Sequence, residues 1–123
     1  MEDDQFEKLV QEAINSLPSE FAKKLDNVSI VVQEAPSYYQ LTKTNLPQNS
    51  LLFGLYEGVP KTKRANYSGV LPDKITIFKN SILQVSYSLD DVREKVRSVV
   101  MHEIGHHFGL TDAQLYKTRP RRT

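Results

Sequence analysis

Apolar residues return at helical spacing through Phe6, Leu9, Val10, Ala13, Ile14 and Leu17, which predicts an amphipathic helix over about Asp3 to Ser16. Pro18 interrupts that run. Phe21 and Leu25, one turn apart, predict a second short helix over Ser19 to Leu25 or a kinked continuation of the first. Asp26-Asn27 signals a turn, and the β-branched run Val28 to Gln33 predicts a strand. Ala35 to Ser50, with Pro36, Pro47 and many polar residues, reads as a long connection. Leu51 to Tyr56 alternates Leu51, Phe53 and Leu55 on one face with Leu52, Gly54 and Tyr56 on the other, the period of a strand. Gly54 in its interior marks a bulge or a place where another backbone comes close. After an irregular basic stretch, Leu71-Pro72-Asp73 turns into a third strand over Lys74 to Phe78. Asn80 to Tyr87 suits a short helix slightly better than a strand.

The longest periodic segment comes last. Ser88-Leu89-Asp90-Asp91 resembles a capping box, with two carboxylates in the first turn where the helix dipole favours them. The helix is expected from Leu89 to about Phe108, with Leu89, Val92, Val96, Val99, Val100, Ile104 and Phe108 as its apolar face. Gly105 inside it costs about 1 kcal/mol against alanine, so it either lets another segment approach or is tolerated.

The end of this helix carries the candidate chemistry. Residues 102 to 112 spell H-E-x-x-H-x-x-G-x-x-D. At about 100° per residue, His102 and His106 lie roughly 40° apart and one turn above each other, so both imidazoles can hold one metal ion. Glu103 is turned roughly 60° from His106, close enough to touch a water on that ion. Gly109 permits a left-handed backbone that ends the helix and bends the chain back, bringing Asp112 within reach of the same ion. Two imidazoles, one carboxylate and an open fourth position describe a catalytic zinc site with one ion. His107, turned roughly 140° from His102, faces the apolar side and reads as a packed or hydrogen-bonded histidine, not a ligand.

Composition narrows the setting. The chain has 123 residues, 39% hydrophobic and 25% charged, as expected of one soluble globular domain over residues 1–123. Within it, residues 1–27 form an N-terminal helical segment and residues 117–123 a basic tail. A net charge of +1 offers no global field for nucleic acid or an anionic membrane. Without cysteine, disulfides and thiolate ligation are impossible, which fits a cytoplasmic location and makes any metal depend on histidine and carboxylates. No apolar run is long enough to span a bilayer, and Met1-Glu2-Asp3-Asp4 is acidic where a signal peptide is basic. Charge is nonetheless uneven: the first helix is acidic, while Lys61, Lys63, Arg64 and the tail Lys117, Arg119, Arg121 and Arg122 are basic.

The extended motif resembles the zincin metallopeptidases, and specifically a family of very small, single-domain bacterial zincin-like proteins. Leu55 to Pro60, Tyr67 to Phe78 and the last helix stand in the order of that family, so the resemblance covers roughly residues 28–116. It implies an α+β fold: a small mixed sheet with an edge strand over the cleft, an N-terminal helix and a long active-site helix. It also implies His102, His106 and Asp112 as zinc ligands and Glu103 as general base. One departure from the larger metzincins stands out. Their methionine turn lies downstream of the third ligand, whereas Met1 and Met101 both lie upstream. With 11 residues after Asp112, no C-terminal subdomain is expected to deepen a specificity pocket.

Three functions are expected to compete. The first is a zinc-dependent peptidase of weak or narrow activity, acting as a monomer on a peptide or protein that adds as a strand to Leu51–Tyr56. Tyr56, Tyr67 or Tyr116 is then available as a second oxyanion stabiliser. The second is a metal-dependent endoribonuclease, resembling an rRNA-processing family with H-x3-H-x5-H spacing. That family has glycine where this chain has Glu103. The third is a zinc-stabilised binding or regulatory protein with little catalysis.

Overall fold

A computed structural model describes residues 1–44, 46, 50–58 and 72–109. Helix α1 spans Asp3–Asn15, α2 Ser19–Lys24, strand β1 Val28–Gln33, α3 Tyr38–Thr42, β2 Gly54–Glu57, β3 Asp73–Phe78, α4 Lys79–Gln84 and α5 Leu89–His107. The fold is α+β. Its sheet has the order β1-β3-β2, with β1 parallel and β2 antiparallel to the central β3.

The helices form where the period requires. Phe6, Leu9, Val10 and Ala13 are the buried face of α1. They join Ile75 and Ile77 of β3 and Val92, Val96, Val100, Met101 and Ile104 of α5 in one core. Asn27 takes a positive φ of 60° in the predicted turn and leads into β1. Serine caps α5 as expected: the Asp91 amide donates to Ser88 Oγ at 3.1 Å, and the Asp91 carboxylate accepts from the Tyr87 amide at 3.0 Å. Two expected members of the apolar face are displaced. Leu89 and Phe108 are exposed at the helix ends, and Met101 is buried instead. Phe108 lies under the ammonium of Lys24, 4.7 Å from its ring centroid.

The middle of the chain departs from the sequence reading. Tyr38–Thr42 is a helix inside the expected connection, closed by a capping box in which Ser37 Oγ accepts from the Gln40 amide and the Gln40 side chain accepts from the Ser37 amide. The second strand is shifted to Gly54–Glu57, although the Phe53 carbonyl still accepts from the Phe78 amide at 3.0 Å. Gly54 marks a close approach, but of a helix. A Cβ there would stand 2.5 Å from Val99 Cγ1 of α5 and 3.1 Å from the Thr76 carbonyl oxygen. The ambiguous segment after β3 is helical, Lys79–Gln84. No helix among the described residues is long and apolar enough to cross a membrane.

Candidate metal centre

The last two turns of α5 bring His102, Glu103 and His106 to one side of the helix, with Glu103 against β2. Helical spacing sets the two imidazoles 6.1 Å apart between ring centroids, with planes at 85°. His102 is half-buried and His106 exposed. The His102 Nδ1 lies 2.9 Å from the Ser98 carbonyl oxygen, one turn back. A carbonyl only accepts, so that contact assigns the proton to Nδ1 and puts the lone pair on Nε2, the tautomer that ligates a metal through Nε2.

Glu103 is held from outside its own helix. Its Oε1 accepts from the Tyr56 main-chain amide of β2 at 2.9 Å. Burial pushes the Glu103 carboxyl above its ordinary range, while the Tyr56 amide and the neighbouring His106 and His102 pull it the other way. Beside it, the His107 ring is exposed and stacks on Tyr56, with centroids 4.0 Å apart and planes within 15°. Packing of His107 therefore holds, but on the strand residue at the surface, not in the apolar interior. The Tyr56 hydroxyl donates to Asp73 Oδ2 at 2.7 Å, so its phenol is engaged at the start of β3.

Gly109 has φ +76°, the left-handed residue expected after the helix, and its amide donates to the His106 carbonyl at 3.2 Å. Asp112, the expected third ligand, lies outside the described residues, as do Tyr67, Tyr116, Lys61–Arg64 and Lys117–Arg122. Among the described residues no group of three histidine or carboxylate side chains converges on one point. The described donors that suit zinc are two imidazoles one turn apart, the first with its tautomer set by a carbonyl; the Glu103 carboxyl lies beside them, held by the Tyr56 amide. Three roles escaped the sequence reading, which named Tyr56 only for its phenol: those of the Ser98 carbonyl, the Tyr56 amide and Asp73. Local spacing contains no signal for the last two, since Tyr56 and Glu103 are 47 residues apart in sequence.

Comparison with known proteins gives a consistent picture. The zincin-like metallopeptidase family matches residues 25–121 of the chain. No curated protein matches it. Among solved structures, a conserved hypothetical protein from Thermo thermophilus superposes with a TM-score of 0.53 at 22% identity, over 86% of this chain and 92% of that one. That likeness shows a shared fold.

Proposed function

The chain belongs to the zincin-like metallopeptidase family, and from that membership we propose that it is a zinc-dependent peptidase. The coarse class, a metal-dependent hydrolase, follows from the family. The finer reading is supported above all by one observation: Glu103 lies on the same side of the helix as His102 and His106, with one carboxylate oxygen already taken by the Tyr56 amide.

His102 and His106 would hold the ion, with Asp112 as third donor. A zinc ion there supplies Lewis acidity, bringing the pKa of a water towards about 7 and polarising a carbonyl. The chain's own residues supply the rest. Ser98 fixes the tautomer of His102. Glu103 uses its second oxygen to take the proton of the attacking water, then passes that proton to the departing amine. Its raised proton affinity suits a group that must both accept and return a proton. Among the described residues β2 is an edge strand, so an extended peptide could lie along it at the groups that Glu103 does not occupy. An anionic third donor weakens the Lewis acid relative to three histidines, and turnover is expected to be slow.

Metal analysis and a proteome-derived peptide library test this. The wild type is expected to bind one zinc per chain and cleave, and His102→Ala to lose both properties. Glu103→Gln is expected to keep zinc while kcat falls by about 10²–10⁴-fold, the usual worth of a general base. Unchanged cleavage in Glu103→Gln would exclude the mechanism. A zinc-loaded wild type that cleaves nothing would leave a binding protein.

A further inference from the structure

The pairing of β2 with β3 decides where its main-chain groups point. Phe53 and Phe78 share a hydrogen bond, and Gly54 pairs with Ile77, Leu55 with Thr76 and Tyr56 with Ile75. In an antiparallel ladder, hydrogen-bonded and non-hydrogen-bonded pairs alternate. Phe53, Leu55 and Glu57 therefore bond to β3, and Gly54 and Tyr56 direct their amides and carbonyls away from it. The outward amide of Tyr56 meets Glu103 Oε1 at 2.9 Å.

The side chain of the same residue is fixed at both ends. Its hydroxyl donates to Asp73 Oδ2 on β3, and its ring lies flat against His107, in the turn of α5 that follows Glu103. The chain leaving β2 closes the cluster. A Cβ at Gly58 would lie 3.7 Å from Asp73 Oδ1 and 3.9 Å from His107 Cε1. Tyr56 thus joins the edge of the sheet to the last turn of α5 through its contacts with Glu103, Asp73 and His107.

We propose that Tyr56 is the positioning residue of Glu103: its main-chain amide holds one carboxylate oxygen, and its side chain, pinned between Asp73 and His107, keeps that amide in register with the helix. This rests on Glu103 being the general base. With Oε1 tethered, rotation about the terminal bond of Glu103 is restricted, and Oε2 is the oxygen left for a water. An extended substrate along β2 also meets a donor already engaged at this position.

Amide hydrogen exchange of the full chain by NMR, with and without zinc, tests the tether without any need for turnover. The Tyr56 amide is expected to exchange slowly in the wild type and in Glu103→Gln, which keeps an acceptor. It should exchange about tenfold faster or more in Glu103→Ala, while Ile75 and Ile77 amides in β3 hold their protection. Equal Tyr56 exchange in wild type and Glu103→Ala overturns the proposal.

A second arm tests the side chain. Tyr56→Phe and Asp73→Ala are expected to lower kcat about tenfold at unchanged KM and to keep zinc affinity. Asp73→Asn, which still accepts from the phenol, should restore kcat. A change in KM alone, or a loss of zinc, would overturn the positioning role. If the zinc-loaded wild type cleaves nothing, the peptidase reading falls, and the exchange experiment still decides the tether.

Discussion

The two halves of α5 obey the same helical period and serve opposite ends. In the first half Val92 and Val96 are buried in the core that α1 supplies, with Phe6 fully enclosed beside them. In the second half Met101, Ile104 and Gly105 still point inward, but His102 and Glu103 are only half-buried and His106 and His107 are exposed. The neighbours differ more than the helix does. Facing α1, the first half meets an apolar surface that asks only for volume. The second half meets a strand edge, whose outward amide can hold a carboxylate. A half-buried acid is costly without such a donor, so the polar half of the helix depends on β2 in a way that the apolar half does not.

That contrast can be broken from either side. Phe6→Ala is expected to have the largest effect, about 3–5 kcal/mol of stability lost by urea denaturation. Zinc affinity measured on the folded fraction should stay the same, because the lesion lies against the packing half. Retained stability would mean that α1 is not what holds the helix. Gly54→Ala strikes the seam between β2 and α5. The new methyl would meet Val99, a β-branched residue stiff in a helix, and overpacking of this kind costs about 1–3 kcal/mol. Adding Val99→Ala should recover much of that loss, and a double variant no better than the single one would show that the Thr76 carbonyl is the harder obstacle.

Gly109→Ala is smaller. Among the described residues nothing beyond its chain neighbours lies within 4 Å of the added Cβ, and the left-handed backbone at φ +76° resists it at about 1–2 kcal/mol. If Asp112 is the third donor, as proposed, zinc titration of the same variant should show weakened binding. The subtlest test is pH. The folded-state pKa of Glu103 is raised, so the native protein holds that proton more tightly than the unfolded chain. Its burial therefore costs least below the ordinary glutamate range, and metal-free stability falls as pH rises through the raised folded value. Thermal melts of the zinc-free protein from about pH 4 to about 8 should show this fall. Glu103→Gln should lack this component and be the more stable protein at neutral pH. An identical pH profile in the two would show that Glu103 is not the titrating group.

Much of the frame was legible because it is local. The bounds of α1 and β1, the serine cap of α5 and the left-handed glycine after it follow from periodicity, capping chemistry and backbone freedom. Helix α3 was overlooked although Ser37-Tyr38-Tyr39-Gln40 carries the S-x-x-Q signature. Tyr38, Tyr39 and Leu41 are exposed there, so no apolar period drew attention to it. The shift of β2 has another cause. Alternation from Leu51 onward describes which faces the side chains take, and only the β3 partner decides where pairing starts.

For the candidate site the division is equally physical. Spacing along one helix determined that His102, Glu103 and His106 share a side, since a helix turn is fixed by its own hydrogen bonds. Spacing could not determine which group would meet the Glu103 carboxylate. The direction of the Tyr56 amide depends on the register of β2 against β3, and its distance from Glu103 depends on how closely α5 seats on Gly54. Both are set by contacts between segments far apart in the chain, and only the folded molecule brings those segments together.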